Sequence, residues 1–227
     1  MIRAIVTDIE GTTSSLSFVH DVLFPYSRAR MAGFVRANRS DPAVGAQLNA
    51  VREQSGVRTE DEVIATLLKW IDEDRKLTPL KALQGMIWES GFKNADFKGH
   101  VYEDAARCLR AWHARGLKLY VFSSGSVHAQ KLLFGYSDHG DLASLFSSFF
   151  DTTIGAKREP SAYTAIAREI ELPAGEILFL SDIVQELDAA RTAGLQTTQV
   201  LRDGVTPQHA HPVARDFDEA GRALADK

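Results

Sequence analysis

Short apolar segments alternate with helical segments through the second half of this 227-residue chain. This alternation restricts the possible folds more than any other feature of the sequence. Five segments have the length and apolar content of buried strands, at residues 2–7, 117–122, 148–152, 177–181 and 197–201. Helical patterns lie between the later strands, at residues 104–115, from Pro160 onward and at residues 183–193. Strands that alternate with helices predict an α/β fold with a parallel sheet covered on both faces.

The connection between the first two strands is unusually long. More than 100 residues separate them, whereas a crossover between parallel strands needs only a dozen or so. Thr59 and Glu62 form a capping-box pattern, and Thr78 with Pro79 begins another helix. Extra helices packed on the core are one interpretation, but a separate helical cap explains the length better. We therefore predict a catalytic core at residues 1–14 and 100–227, with a cap at residues 15–99.

Composition and charge exclude several classes of protein. The formal net charge is −4 and the pI is near 6.0, and no basic stripe indicates a nucleic-acid partner. No apolar run approaches the ~20 residues needed to span a bilayer, and the N-terminus lacks a basic-then-apolar signal region. We therefore expect a cytoplasmic protein with no membrane partner. The only cysteine, Cys108, lies at helical spacing with apolar residues and is predicted to be a core position.

Polar residues follow four of the predicted strands. The first strand leads into D-I-E-G-T-T, which contains Asp8 and Glu10, and the second into S-S-G-S, which begins at Ser123. Lys157 follows the third strand, and Asp182 and Glu186 follow the fourth. Because ligands bind beyond the carboxyl ends of parallel strands, we expect these side chains to converge on one site.

Four carboxylates in one site need a compensating charge. Two like charges ~4 Å apart repel by about 4 kcal/mol at an effective dielectric near 20. Mg²⁺ removes such repulsion and prefers carboxylates, water and phosphate oxygens. The acids Asp8, Glu10, Asp182 and Glu186 therefore predict a magnesium site. Glu186 either contacts the residues that bind the cation or binds the cation itself through a water molecule.

The remaining polar groups suit a phosphate. The Ser123 hydroxyl and the helix N-terminus after Gly125 form a phosphate cradle, and the Lys157 ammonium can neutralise a transferring phosphoryl group. Phosphoryl transfer depends mainly on positioning and charge neutralisation. The site therefore predicts a phosphatase in which Asp8 forms an aspartyl-phosphate intermediate.

These motifs resemble the haloacid-dehalogenase-like hydrolase superfamily, whose pattern is D-x-D-x-T, then Ser or Thr, then Lys, then an acidic pair. The resemblance covers nearly the whole chain and is strongest to the enolase-phosphatases of methionine salvage. The similar blocks are D-I-E-G-T-T, S-F-V-H-D-V-L-F-P-Y, L-Q-G-M-I-W, G-H-V-Y, S-S-G-S-V-H-A-Q-K-L-L-F-G, F-F-D-T-T-I-G-A-K-R-E and L-F-L-S-D-I-V-Q-E-L-D-A-A.

The resemblance implies a Rossmann-like, doubly wound core with a helical cap after the first strand, and a monomeric protein. It implies catalytic roles for Asp8, Glu10 and Lys157, and Mg²⁺ held by Asp8, Glu10 and Asp182. It also implies that Ser123, Ser124 and Lys157 bind the phosphate of a small-molecule substrate.

The implied reaction has two steps. The substrate, 2,3-diketo-5-methylthiopentyl-1-phosphate, is enolised and then dephosphorylated to an acireductone. The wider superfamily has Asp at the position of Glu10. A Glu at this position is typical of the enolase-phosphatase branch that the chain resembles. In relatives this position protonates the leaving alcohol, and its backbone carbonyl binds the metal. Glu10 and a group from the cap are both candidates for the base that enolises the substrate.

Two other functions remain possible from the residues. One is a plain magnesium-dependent phosphatase for another small phosphate monoester. The other is a signalling receiver module, which also has clustered acids and a lysine, although the long insertion argues against it.

Other candidate positions have simpler interpretations. His20 is expected to cap or pack. We predict a surface position for the H-x-H at His209 and His211, since no further metal ligands accompany it. Trp70 and Trp88 are expected in the core of the cap.

Overall fold

The structure of the chain, a computed structural model, describes residues 1–202, 206–207 and 210–225. Within these residues six strands form one sheet in which every paired strand is parallel. The spatial order is β3-β2-β1-β4-β5-β6. The strands are β1 (Ala4–Thr7), β2 (Lys118–Phe122), β3 (Phe146–Phe150), β4 (Ile177–Ser181), β5 (Gln196–Val200) and β6 (Val213–Ala214). The predicted α/β class with a parallel sheet is confirmed.

The predicted strand positions are close to the observed ones, with two differences. The third strand begins and ends two residues before the predicted range of 148–152, because Asp151 starts a turn in which its carboxylate accepts the N–H and hydroxyl of Thr153. The two-residue strand β6 was not predicted, since its sequence is too short to form a recognisable alternating pattern.

Helices cover both faces of the sheet, as a doubly wound fold requires. Helices α8 (Pro160–Ile170) and α9 (Val184–Thr192) bury apolar side chains against one face, where they share a core with alternate residues of β1, β2 and β4. Helices α6 (Glu103–Ala114), α7 (Val127–Gly135) and α10 (Phe217–Ala225) pack against β2, β3 and β5. Cys108 of α6 is buried, which confirms its predicted core position.

The long connection after β1 is helical. It consists of α1 (Leu16–Phe18), a π-helical turn (Val19–Leu23), α2 (Phe24–Asn38), α3 (Pro42–Ser55), α4 (Glu60–Asp72) and α5 (Thr78–Lys93). The chain separates into two compact units, residues 1–16 with 98–227 and residues 17–97. The second unit has its own apolar core, supplied by α2 to α5. The assignment of residues 15–99 as a cap on a catalytic core stays a prediction.

Local signals in the sequence set the ends of these helices. Thr59 and Glu62 form the predicted capping box at the start of α4, and Asp41 accepts two N–H groups at the start of α3.

Trp70 and Trp88 are buried within the helical unit, as predicted. In the described part of the chain, no helix combines the length and apolar character needed to cross a bilayer.

Candidate active site

The central strands bring the first and fourth motifs together. Strand β1 lies between β2 and β4, so the residues that follow these three strands meet at one edge of the sheet. Asp8 comes directly after β1, and its N–H donates to the Leu180 carbonyl of β4 at 2.9 Å. Ser123 and Asp182 come directly after β2 and β4. Chain topology, rather than local sequence, therefore assembles the site.

The Asp8 carboxylate is held by two donors. Its Oδ1 accepts the N–H of Ile9 at 2.7 Å and lies 2.7 Å from Lys157 Nζ. Asp8 is only 4% exposed and Lys157 only 8%, so water screens their interaction weakly. The Asp8 carboxylate therefore lies beside the Lys157 ammonium group, and its role as nucleophile stays a prediction.

Lys157 also contacts Glu186, which the sequence left without a definite role. The distance from Lys157 Nζ to Glu186 Oε2 is 2.7 Å, and Ser181 Oγ donates to the same oxygen at 3.1 Å. Burial alone would lower the pKa of Lys157, but the charges of Asp8 and Glu186 outweigh it and raise that pKa. Lys157 therefore stays protonated and carries the single ammonium of a buried triad with two carboxylates.

The triad contains one negative charge too many. Burial, and then the nearby charge of Asp8, raise the pKa of Glu186 to about 7, against the opposing effect of Lys157. The same two causes, in the same order, raise the pKa of Asp182 to about 6. Burial first, and the charge of Asp8 second, therefore disfavour the ionised forms of both groups, and a bound cation would offset both effects.

Asp182 is oriented by the turn that follows β1. Thr12 Oγ1 donates to Asp182 Oδ1 at 3.3 Å and accepts the Asp182 N–H at 3.1 Å. Gly11 permits this approach, because a Cβ at that position would lie 2.6 Å from Asp182 Oδ2. Gly11 also has a φ of +74°, which glycine adopts without strain. The G-T-T of the first motif thus packs against the acid of the fourth.

The oxygen donors fit a hard divalent cation, but not through three acidic side chains. Asp8 and Asp182 are buried carboxylates, and Lys157 offsets only part of the negative charge around them, which suits a hard cation such as Mg²⁺. Among the residues that the structure describes, no group of three His, Cys, Asp or Glu side chains is arranged to hold a metal. The structure therefore does not bring the Glu10 side chain together with Asp8 and Asp182 as a three-carboxylate site. Glu10 is half-buried and forms a β-bridge with Ser14.

The predicted phosphate cradle is built around a loop between β2 and α7. Ser123 is 3% exposed, and its Oγ accepts the N–H of Gly125 at 3.2 Å. Ser124 is half-buried. Ser126 caps α7 by accepting the N–H of Ala129 at 3.3 Å. Hydroxyl groups and the beginning of a helix therefore lie together at the end of β2, as predicted.

Sequence reasoning missed two residues that support this site. Gln130, on the first turns of α7, donates from Nε2 to the carbonyls of Gly125 and Phe150 at 2.8 and 2.9 Å. Arg202, after β5, donates from Nε to the Thr12 carbonyl at 3.2 Å. Gln130 lies in one of the quoted sequence blocks, whereas no local pattern marks Arg202.

The histidines lie outside these contacts. His20 is exposed and packs edge-on against Phe24 in the helical unit. The predicted surface position is wrong for His211, whose ring is buried between Thr197 and Asp188 at 2.8 and 3.1 Å. Its Pro-flanked sequence looked like an exposed loop, but the residues shortly after it, Val213–Ala214, join the sheet as β6. His209 lies outside the described residues.

Comparisons with known proteins agree with the site. The family model for haloacid dehalogenase-like hydrolase matches residues 2–194. "Enolase-phosphatase E1" of Methylococcus capsulatus is 63% identical over 220 residues, which cover 96% of this chain and 97% of the relative. The protein of the same name from Pseudomonas aeruginosa strain LESB58 is 59% identical over 218 residues, covering 95% and 96%.

A solved structure extends the likeness to three dimensions. The crystal structure of UTR4 protein from Saccharomyces cerevisiae superposes with a TM-score of 0.82 at 34% identity, covering 96% of this chain and 99% of that one. Matches of this length and identity go well beyond a shared fold. The chain therefore belongs to the haloacid dehalogenase-like hydrolases, and within them to the family of the proteins named enolase-phosphatase.

Proposed function

We propose that this chain is a magnesium-dependent, bifunctional enolase-phosphatase of methionine salvage. Its substrate is 2,3-diketo-5-methylthiopentyl-1-phosphate, which it enolises and then dephosphorylates to 1,2-dihydroxy-3-keto-5-methylthiopentene. One observation carries the phosphatase half of the proposal: a buried carboxylate, Asp8, lies 2.7 Å from a buried ammonium, Lys157, at the end of the central strand. The name of the full-length relatives supports the choice of substrate.

Asp8 is the proposed nucleophile. Its carboxylate attacks the phosphorus, the bond from phosphorus to the ester oxygen breaks, and that oxygen takes a proton as the alcohol leaves. Water then hydrolyses the aspartyl phosphate, which restores Asp8 and releases inorganic phosphate. The contacts of Asp8 with the Ile9 N–H and with Lys157 hold the carboxylate in place, so that little reorganisation is needed as it reacts.

The carboxylates of Asp8 and Asp182, with the backbone carbonyl of Glu10, are the proposed ligands of Mg²⁺. When bound, Mg²⁺ neutralises phosphate charge and polarises a substrate carbonyl oxygen. Lys157, which lies beside Asp8, stabilises the negative charge on the transferring phosphoryl group. Glu186 keeps Lys157 in position, since it contacts the same Nζ.

Ser123 and Ser124 are the proposed phosphate ligands, together with Lys157. The Ser123 hydroxyl is fixed by the Gly125 N–H, and N–H groups at the beginning of α7 favour an anion. We assign proton transfer to Glu10, which is half-buried and lies two residues after Asp8 in the sequence. It would protonate the leaving oxygen and is our candidate for the base in enolisation.

The test is an assay with the dicarbonyl phosphate and purified protein. We expect ultraviolet absorbance of the enol to appear before or with phosphate release, and a chelator to abolish the activity. Asp8→Asn should remove turnover while the protein stays folded, whereas Asp61→Asn, at an 84% exposed side chain, should leave turnover unchanged. Steady turnover by Asp8→Asn would exclude Asp8 as nucleophile.

The same assay separates the second candidate. A plain magnesium-dependent phosphatase would release phosphate from many unrelated monoesters and give no enol signal. A receiver module would show no steady turnover at all. The monomeric state and the cytoplasmic location stay predictions, and sedimentation of the purified protein checks the first.

A further inference from the structure

Arg202 is a buried cation that lies behind the first motif. It follows β5 by two residues and is 8% exposed. Its Nε donates to the Thr12 carbonyl at 3.2 Å, and its two terminal nitrogens donate to both oxygens of Asp104 at 2.9 and 2.6 Å. All three nitrogens of the guanidinium group are therefore engaged.

Thr12 connects Arg202 to the proposed cation site. Its backbone carbonyl accepts from Arg202, while its side-chain hydroxyl contacts both the N–H and the carboxylate of Asp182. Thr12 is completely buried, so water does not compete for either contact. A shift of the Thr12 backbone would consequently move the hydroxyl that orients Asp182.

The surroundings of Arg202 indicate that it orients its hydrogen-bond partners and does not supply net positive charge to the site. Asp104 neutralises the guanidinium group, whose planar carbon lies 4.1 Å from the centre of the Tyr102 ring and 5.6 Å from that of Phe217. A paired charge in this position does not add net positive charge to the site. Buried ion pairs of this kind are often no more stabilising than apolar residues of similar volume, but the rigid guanidinium fork fixes the direction of three hydrogen bonds.

We propose that Arg202 is a positioning residue for the cation site: by fixing the Thr12 carbonyl, it fixes the hydroxyl that aims the Asp182 carboxylate. This inference rests on the proposed function, in which Asp8 and Asp182 hold Mg²⁺. Arg202 itself touches neither the cation nor the substrate.

The test compares metal-free variants in the absence of substrate. Arg202→Met removes the contact, and Arg202→Met with Asp104→Asn also removes the unpaired carboxylate that could prevent folding. Arg202→Lys keeps a charge beside Asp104 and provides a third variant if the other two do not fold. The matched control is Arg107→Met, which removes another bidentate arginine–aspartate pair, Arg107 with Asp218. Arg107 lies on α6, the helix that also carries Asp104.

Two measurements are made on each variant. Calorimetric titration should show Mg²⁺ bound at least about tenfold more weakly in the Arg202 variants, which is about 1.4 kcal/mol, and within about twofold of the original protein in Arg107→Met. Amide hydrogen exchange of Asp182, whose N–H is bonded to Thr12, should become faster in the Arg202 variants but not in the control.

The outcomes separate this inference from the proposed function. Folded Arg202 variants that retain both the original Mg²⁺ affinity and the original exchange at Asp182 would overturn the inference. An equal loss of affinity in Arg107→Met would also overturn it, since general destabilisation would then suffice. If the unaltered protein binds no Mg²⁺, the proposed function fails, while the exchange measurement still decides whether Arg202 positions Asp182.

Discussion

Replacing Lys157 by Met would test the electrostatic account of the active site most directly. Methionine has a similar length and volume but carries no charge. Each carboxylate contact at 2.7 Å contributes about 6 kcal/mol at an effective dielectric near 20, before the cost of burying the ammonium is subtracted. That cost is several kcal/mol. The net effect of Lys157 on stability is therefore far smaller than the sum of its contacts.

The larger effect comes from the carboxylates that remain. Asp8 Oδ1 and Glu186 Oε2 each lie 2.7 Å from Nζ, so they are at most about 5.4 Å apart and repel by at least about 3 kcal/mol at that dielectric. Removing one member of a buried charge pair typically costs about 3–5 kcal/mol. We expect Lys157→Met to lower the free energy of unfolding of metal-free protein by this amount at pH 8. The loss should be smaller at pH 6, where protonation of Glu186 removes one charge.

The assay is urea denaturation of metal-free protein at both pH values. Native-state hydrogen exchange of the β1 and β4 amides would report on the unit that contains the site. The matched control is Lys69→Met, which breaks an ion pair with Glu73 whose side chains are 71% and 42% exposed, and it should change stability by less than about 0.5 kcal/mol. If Lys157→Met stays within about 1 kcal/mol of the original protein at pH 8, repulsion between Asp8 and Glu186 does not destabilise the protein and the electrostatic account is wrong.

Three further predictions concern other parts of the site. The pKa of Glu186 is raised from 4.5 to about 7 in the folded protein, so between these pH values the folded metal-free protein binds more protons than the unfolded chain. Its free energy of unfolding should therefore fall as pH rises through this window, by about 3 kcal/mol. Glu186→Gln should flatten that pH dependence in urea denaturation. Gln130→Leu removes the donor to the Gly125 and Phe150 carbonyls and should destabilise the protein by about 1–3 kcal/mol and raise the inhibition constant of inorganic phosphate. Gly11→Ala should weaken Mg²⁺ binding in calorimetry and cost at least about 1 kcal/mol, since it combines a positive φ with a methyl group pressed against Asp182.

Two of these predictions have a control variant within the chain, and each has an outcome that would contradict it. An unchanged pH profile in Glu186→Gln would contradict the assigned pKa shift. Gln54→Leu, at an exposed position, should leave phosphate inhibition unaltered; a similar effect at both positions would remove the special role of Gln130. Gly33→Ala, in α2 where no atom lies within 4 Å of the added methyl group, should be neutral or stabilising, whereas normal Mg²⁺ binding by Gly11→Ala would refute the close-contact argument.

The polar motifs of the site could be predicted because each is local in sequence. Asp8, Ser123 and Asp182 directly follow apolar strands, and parallel strands present their carboxyl ends at one edge. Their convergence followed from this rule without knowledge of the order of strands. The same locality explains why the capping box at Thr59 was predicted correctly, since both of its contacts lie within one turn of helix.

Only the tertiary structure decided which side chains touch one another. The contact of Glu186 with Lys157, the approach of Arg202 to Thr12 and the burial of His211 each join residues that are distant in sequence. A carboxylate or guanidinium group looks the same in sequence whether it is solvated or buried, and its partner is set by the strand order and by loops that return to the sheet. The sequence by itself determined the fold class and the chemical inventory of the site, because strand and helix patterns and motif residues are short-range properties. The pairing of charges, and with it the pKa values and the aim of Asp182, is long-range and was decided by the packed sheet.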